Sequence, residues 1–424
     1  MKKILLRFLS CYFLLTICPW LWFDRIPGVA LTAQYFTSAI QWIVNSFNTY
    51  FLHIAFPLNF DGGGSGDTSY AWAEYYTSII ISLIVCLIWT FINKRTDYKI
   101  LAFWLRNLVR YHIAIIAFSY GFIKLFVLQM PFPSLSQLAT PLGDFLPMRL
   151  SWMFMGYSGP YQLFSGVMEI IVGLCLFNRK TVSLGAFIGL GVFANVFAIN
   201  LSYDVPVKLF SLQLAICCLF LVLNDYKRFV SFFLHNLPAE SSAIYSIVYT
   251  KKWQKAARLA WKIGFVILFI VMPFYDSLAW YRQSQQENTI ISGPIKPGVY
   301  SIEKFSRNNI ITPIAVNDAM AWKDFIFENG GGGSINTKDT LFSEAYGRGY
   351  FFYEVDAAHH SIKFKNSPWE TEALFTMKYT INNSNGISLC GKVKNDSLSF
   401  ELRKSSQHFQ LAEKQFHWIS ESNR

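Results

Sequence analysis

Two textures of hydrophobic patterning divide the chain near Gln285. Before it, long apolar runs occupy residues 5–23, 75–92, 111–130, 161–177, 182–201, 207–223 and 263–280. Each approaches or reaches the ~20 residues an α-helix needs to cross the hydrocarbon of a bilayer, so the pattern predicts seven transmembrane helices. Residues 26–60 are aromatic and weakly amphipathic, as expected of a segment at the outer membrane surface. Residues 100–110 and 229–237 carry the same signature for the inner surface.

After Gln285 the hydrophobic runs become short and are separated by Gly, Asn, Asp and Ser. Residues 298–305, 322–328, 350–355, 360–364, 374–381, 387–393 and 398–403 read as strands. Asn383-Ser384-Asn385-Gly386 and Asn395-Asp396 carry the chemistry of hairpin turns. Phe416-His417-Trp418-Ile419 resembles a closing strand, and Gly330 to Gly333 followed by Ser334 a flexible loop. Asp61-Gly62-Gly63-Gly64-Ser65-Gly66-Asp67-Thr68 reads as a flexible turn, because no Lys follows at P-loop spacing and no clear strand precedes it. The predicted fold is a membrane all-α helical bundle followed by a soluble antiparallel β-domain, sandwich or barrel. It divides into 1–98 (N-terminal helices with an outer loop), 99–237 (a four-helix membrane core), 238–284 (an inner loop and the last span) and 285–424 (the β-domain).

Composition agrees with this division. The chain is 53% hydrophobic and 15% charged, too apolar for a soluble protein of 424 residues. The net charge of +11 invites a nucleic-acid reading, but its distribution argues otherwise. Residues 1–284 hold 22 Lys+Arg against 11 Asp+Glu, whereas 285–424 hold 15 of each. Lys2, Lys3, Arg7, Lys94, Arg95, Lys99, Arg106, Arg110, Arg179, Lys180, Lys227, Arg228, Lys251, Lys252, Lys255, Arg258 and Lys262 all fall on one side of the predicted spans. The positive-inside rule then puts the N-terminus inside and the β-domain outside, with the lipid bilayer rather than nucleic acid as partner. The long first apolar run, with no small-residue cleavage site directly after it, reads as an uncleaved helix suited to a bacterial inner membrane.

Charges inside apolar runs are the candidate chemistry, because they are costly in a bilayer. Lys124 follows Tyr120 by one helical turn, and Glu169 lies midway along the next run. With spans alternating in direction, Lys124 and Glu169 differ in depth by about two residues, or ~3 Å. Asn195, Asn200, Asp204 and Lys208 are expected in the same outer half. Two readings stand side by side: a polar bridge that fixes helix packing, and a pocket that binds a head group, a quinone or a substrate, or passes protons. His359-His360 reads as a solvated loop, and His112 as a snorkelling residue rather than a haem ligand. Six cysteines lie in apolar runs and Cys390 stands alone in the tail, so no disulfide framework or zinc spacing arises. Rossmann, haem-attachment and iron–sulfur motifs are absent, so no metal or covalent cofactor is expected.

Residues 110–233 resemble the DoxX family of small four-helix membrane proteins. The resemblance rests on Tyr120-Gly121-Phe122-Ile123-Lys124, Glu169 followed by Gly173-Leu174, the basic turn Arg179-Lys180, the Gly/Ala-rich helix 185–198, and Pro206, Lys208 and Leu212. The whole chain, through Gly64-Ser65-Gly66-Asp67-Thr68 and Phe416-His417-Trp418-Ile419, is similar to larger DoxX-like proteins. The family takes its name from a thiosulfate:quinone oxidoreductase subunit. The resemblance therefore implies a membrane component of a quinone-linked or sulfur redox system, with a redox subunit as partner. Three additional spans and a large β-tail depart from the family pattern. A more distant likeness is to vitamin K-dependent carboxylase-type proteins, which join a helical bundle to a β-rich outer domain; no carboxylase-specific motif accompanies it. The expected function is quinone or lipid-soluble-molecule binding at Tyr120, Lys124, Glu169, Asn195, Asn200, Asp204 and Lys208. The alternative is a non-enzymatic assembly protein whose β-domain binds an extracytoplasmic protein partner.

Overall fold

The computed structural model describes residues 2–24, 26, 28–60, 65–93, 97–238, 245, 247, 249–289, 293–311, 322–383, 385–413, 417–419 and 421. Two compact units form: Met1–Met130 with Ser158–Ser277, and Pro131–Tyr157 with Leu278–Arg424.

The first unit is helical. Its elements are α1 (Lys2–Ile17), α2 (Val29–Phe47), α3 (Ser69–Ile92), α4 (Lys99–Leu125), α7 (Gly159–Phe177), α8 (Val182–Ser202), α9 (Lys208–Asn224), α10 (Tyr226–Phe233), α11 (Lys252–Val266) and the start of α12 (Met272–Thr289). Among the described residues six helices are long and apolar enough to cross a membrane, and seven if the α9–α10 pair, bent by 75°, counts as one span. The seven apolar runs thus all become helix. Their outward faces stay apolar, as at Leu87, Phe91, Phe164 and Leu184, which is where lipid replaces a protein core. The buried seam runs through Phe13, Val109, Ile113, Phe118, Val172, Leu176, Cys217 and Leu221.

Two boundaries differ from the sequence expectation. Residues 100–110 do not form a separate surface segment but continue without a break into the third span, so α4 is 27 residues long. Its end comes at Leu125 rather than Met130, because Val127 adopts φ 57 and reverses the chain. Gln162 of α7 then holds that reversal, donating to the Met130 carbonyl at 2.8 Å and accepting from its N–H at 3.0 Å.

The turn expected at residues 61–68 has an ordered second half, while 61–64 lie outside the described residues. Asp67 accepts from the backbone N–H groups of Lys208 and Leu209 at 2.8 and 3.0 Å, capping α9 from a distant loop. Thr68 caps α3 through Ala71 N at 3.2 Å. A Cβ on Gly66 would lie 3.3 Å from Val207 Cγ1, so a small residue suits this approach.

The second unit is a closed antiparallel barrel. Its strands are β1 (Gly298–Arg307), β2 (Ile310–Ile311), β3 (Asp324–Phe327), β4 (Gly332–Ile335), β5 (Ser343–Ala345), β6 (Arg348–Asp356), β7 (Ser361–Lys365), β8 (Phe375–Asn383), β9 (Gly386–Val393) and β10 (Asp396–Lys404). Pairing runs β1-β3-β4-β6-β7-β8-β9-β10, and β10 returns to β1 from Tyr300↔Lys404 to Arg307↔Leu398 with a bulge between Ile302 and Lys304. β2 and β5 are short additions to β1 and β6. All seven expected strands form. The β9–β10 hairpin turns at Lys394-Asn395, with Lys394 at φ 55. Ser384 and Phe416 lie outside the described residues; residues 417–419 are not strand, and β10 closes the barrel instead.

Eight strands enclose a space just wide enough for side chains. Trp322 fills its centre, stacked on Phe400 with centroids 5.1 Å apart and edge-on to Phe325 and Phe342. Phe327, Phe351, Phe364 and Phe375 complete the aromatic interior. The glycine-rich segment 330–333 is not a loop throughout. Gly330 and Gly331 turn at φ 79 and 81, and Gly332–Ile335 is a core strand between β3 and β6. Glycine is required at 333, where a Cβ would lie 2.4 Å from Ile326 O and 2.6 Å from the Phe351 ring.

Residues 131–157, between the third and fourth spans, pack with this barrel rather than with the expected core 99–237. Their helices are α5 (Leu135–Leu138) and α6 (Pro147–Tyr157). Ser136 donates to Glu328 and accepts from Ser334 at 2.8 Å. Ser334 also accepts from Arg348 Nε at 2.8 Å, and Arg348 grips Asp324 with a two-pronged bond of 3.0 and 2.5 Å. Arg149 donates to Tyr346 at 3.0 Å.

Candidate functional site

The site is built where α4 and α7 approach most closely. Gly121 and Gly166 permit the approach: a Cβ on Gly166 would lie 2.7 Å from Gly121 O and 2.9 Å from Lys124 Cβ. Small residues at a membrane helix interface let backbones meet. Each glycine stands three residues before a charge, hence on the same helix face as Lys124 or Glu169. That spacing is the signal the sequence carried for their contact.

Lys124 Nζ donates to Glu169 Oε1. The two side chains are 7% and 2% exposed, so water cannot share the charges. Lys124 also lies in the last turn of α4, where a cation meets the helix carbonyls favourably. Glu169 Oε2 is buried with no hydrogen-bond partner among the described residues. Tyr120, half-buried, is within electrostatic reach of Glu169 and packs on Phe210 at 6.1 Å between centroids. The arrangement is a desolvated ion pair with one free acceptor position, able to take a proton or a hydroxyl donor.

The other expected residues do not all join it. Asn195 is exposed on α8. Asn200 is buried and donates to Ser211 at 3.0 Å, tying α8 to α9. Lys208 bonds Asp204 at 2.7 Å and lies 3.6 Å from Asp67. These three belong to a second polar group at the α8–α9 turn, organised by Asp67, which sequence reasoning left in a flexible turn. A third polar group was also missed: Tyr12 donates to Gln213 at 2.7 Å, and Gln213 donates to Thr16 at 2.6 Å, joining α1 to α9.

No protein-family model matches the chain. A relative does: an uncharacterized protein, YwoB, of Bacillus subtilis (strain 168), is 34% identical over 95 residues. Those residues are 22% of this chain and 61% of YwoB, so the chain spans less than two thirds of that relative. No solved structure matches.

The histidines separate by environment. His112 does not snorkel; it is buried, stacked on Trp22 at 6.2 Å, with Nδ1 unpartnered among the described residues. His359 is exposed and bonds Asp356 at 2.7 Å, which holds that carboxyl below the usual carboxylate range. Among the described residues no three His, Cys, Asp or Glu side chains gather in a way that could hold a metal ion.

Proposed function

We propose that this chain is a DoxX-like multi-pass membrane protein that binds quinone, or another lipid-soluble molecule, at Lys124 and Glu169 in a redox-linked process. The observation that carries the reading is the buried Lys124–Glu169 pair with Glu169 Oε2 left unpaired. A carbonyl or phenol head group reaching the unpaired side of Glu169 would exchange with this pair: Lys124 donates to the carbonyl, and Glu169 accepts from the hydroxyl. Tyr120 borders the same position. Asn200, Asp204 and Lys208 shape the neighbouring turn, and Asn195 is left for lipid contact.

The basic flanks support a bacterial inner-membrane location with the N-terminus inside and the barrel in the periplasm. Cys390 is exposed on the barrel and reports its side. A membrane-impermeant thiol reagent should label it in intact spheroplasts, and labelling only after lysis refutes the orientation.

Native mass spectrometry of protein purified in mild detergent, with extraction of co-purified lipids, tests the site. Wild type should carry a quinone-class molecule that Lys124→Met and Glu169→Gln lose while still folded. Retention by both folded variants would overturn the assignment.

A second reading is a non-enzymatic assembly protein acting through the barrel on an extracytoplasmic protein partner or redox subunit. It is favoured by an interior filled with aromatics, which leaves recognition to the outside, where Trp369 is 90% exposed and the short strand β2 presents Ile310 and Ile311. On this reading Lys124→Met stays active and the barrel is indispensable.

A further inference from the structure

A second charged site lies at the other end of α4. Arg110 precedes Lys124 by 14 residues, or about 21 Å along the helix. It is 7% exposed, donates to the Phe177 carbonyl at 3.2 Å and to the Tyr111 hydroxyl at 3.3 Å, and has no carboxylate partner among the described residues. Its Nε is buried and unpartnered.

The surrounding charge is of one sign. Arg179, in the α7–α8 turn, and Arg258 of α11 both act electrostatically on Arg110. Arg106 in turn feels Arg110, Arg179 and Arg228. Among the described residues the carboxylate that meets this group is Asp225, which accepts from Ser183 and lies 3.7 Å from Arg106 and 3.5 Å from Arg228. Asp225 thus faces Arg106 and Arg228, while Arg110 has Arg179 and Arg258 near it and no carboxylate partner among the described residues. The buried charge of Arg110 is costly unless a counter-ion completes it, and Arg179 and Arg258 beside it are exposed, leaving the group open to a ligand from solvent or lipid. The Arg110 Nε–H, unpartnered among the described residues, can donate to a phosphate oxygen, and Arg is favoured where phosphate is recognised by paired donors.

We propose that Arg110, with Arg106, Arg179, Arg228 and Arg258, forms a binding site for a phosphate group. Two sources supply that chemistry: the head group of an anionic phospholipid and a soluble phosphate. The lipid source fits the place best, because α10, bent by 75° from α9, sets Lys227 and Arg228 beside exposed Phe232 and Phe233. A short helix with basic and aromatic faces belongs in the head-group layer, where anionic lipids gather.

The test uses delipidated full-length protein in an uncharged detergent, titrated separately with short-chain phosphatidylglycerol, short-chain phosphatidylcholine and inorganic phosphate. Binding is read by native mass spectrometry and by the shift in thermal midpoint. Phosphatidylglycerol should bind and raise the midpoint, and Arg179→Gln and Arg258→Gln should each weaken it about fivefold. Arg179 is exposed, so its variant should fold even where Arg110→Gln does not. Lys304→Gln, on the barrel, should change nothing. Binding of inorganic phosphate with the same arginine dependence supports the site and assigns it a soluble ligand. Equal binding of both lipids, or affinity unchanged in Arg179→Gln and Arg258→Gln, overturns the proposal.

Discussion

Replacing Glu169 by Gln leaves the Lys124 ammonium with its carboxylate gone and its side chain only 7% exposed. Breaking a buried pair from one side costs about 3–5 kcal/mol, because the surviving charge is uncompensated. Lys124→Met strands Glu169 in the same way, with neither oxygen paired, and should cost a similar amount. Removing both charges differs. A Lys124→Met, Glu169→Leu double variant removes both desolvation penalties and keeps the volume, so its stability should return to the wild-type value or exceed it by about 1–4 kcal/mol. With Glu169→Leu as the matching single variant, the double-mutant cycle should therefore give a coupling energy of about 6 kcal/mol or more, well above the usual range for an exposed pair. Unfolding free energies come from titration with a denaturing detergent in mixed micelles, at fixed lipid content. Single variants within about 0.5 kcal/mol of wild type would refute the buried geometry, since surface changes have that size. The same three proteins separate packing from function. If the double variant regains stability but not its lipid-soluble ligand, the charges serve binding; if it regains both, they serve packing alone and the proposed function fails.

Gly166→Ala should destabilise the helical unit by about 1–3 kcal/mol, the scale of overpacking, because its Cβ would meet backbone atoms of Gly121 and Leu125 at 2.7 and 2.8 Å; the same detergent titration measures it. Asp67→Ala removes the remote cap of α9 and should cost about 1–2 kcal/mol, with faster hydrogen exchange at the Lys208 and Leu209 amides. Gly333→Ala should lower the thermal midpoint of the barrel with little change in the helical unit, as judged by protease resistance of each, since Ile326 O and the Phe351 ring already occupy the space. Asp396 is held below the usual carboxylate range by Arg307, with Asn308 adding a bond. Its stabilising contribution is thus full above the unfolded value of about 3.9 and is lost as pH falls through the lower folded value. Arg307→Gln should raise the Asp396 titration midpoint toward ordinary values in a carboxyl NMR titration, and an unchanged midpoint would contradict the pairing.

The apolar runs and alternating runs by themselves determined the elements. Hydrophobic length decides a span and period-two alternation decides a strand, and both are local properties of a few consecutive residues. That is why all seven helical runs and seven of the strands were legible, and why β2, β4 and β5, too short or too glycine-rich to alternate, were not. The charges at 124 and 169 were legible as anomalies in apolar text, but their meeting depended on Gly121 and Gly166 facing each other across two helices. Asn195 and Asn200 look alike in sequence; helix rotation exposes one and buries the other against Ser211. Glycines 330–333 read as slack until Phe351 lies over Gly333, and 131–157 read as a link within the membrane core until Ser136 and Arg149 bond the barrel strands. Asp67 gained its role from a helix 141 residues away. Tertiary structure decided these because each is a contact between segments distant in the chain, and distance in space is not written in any single stretch of it.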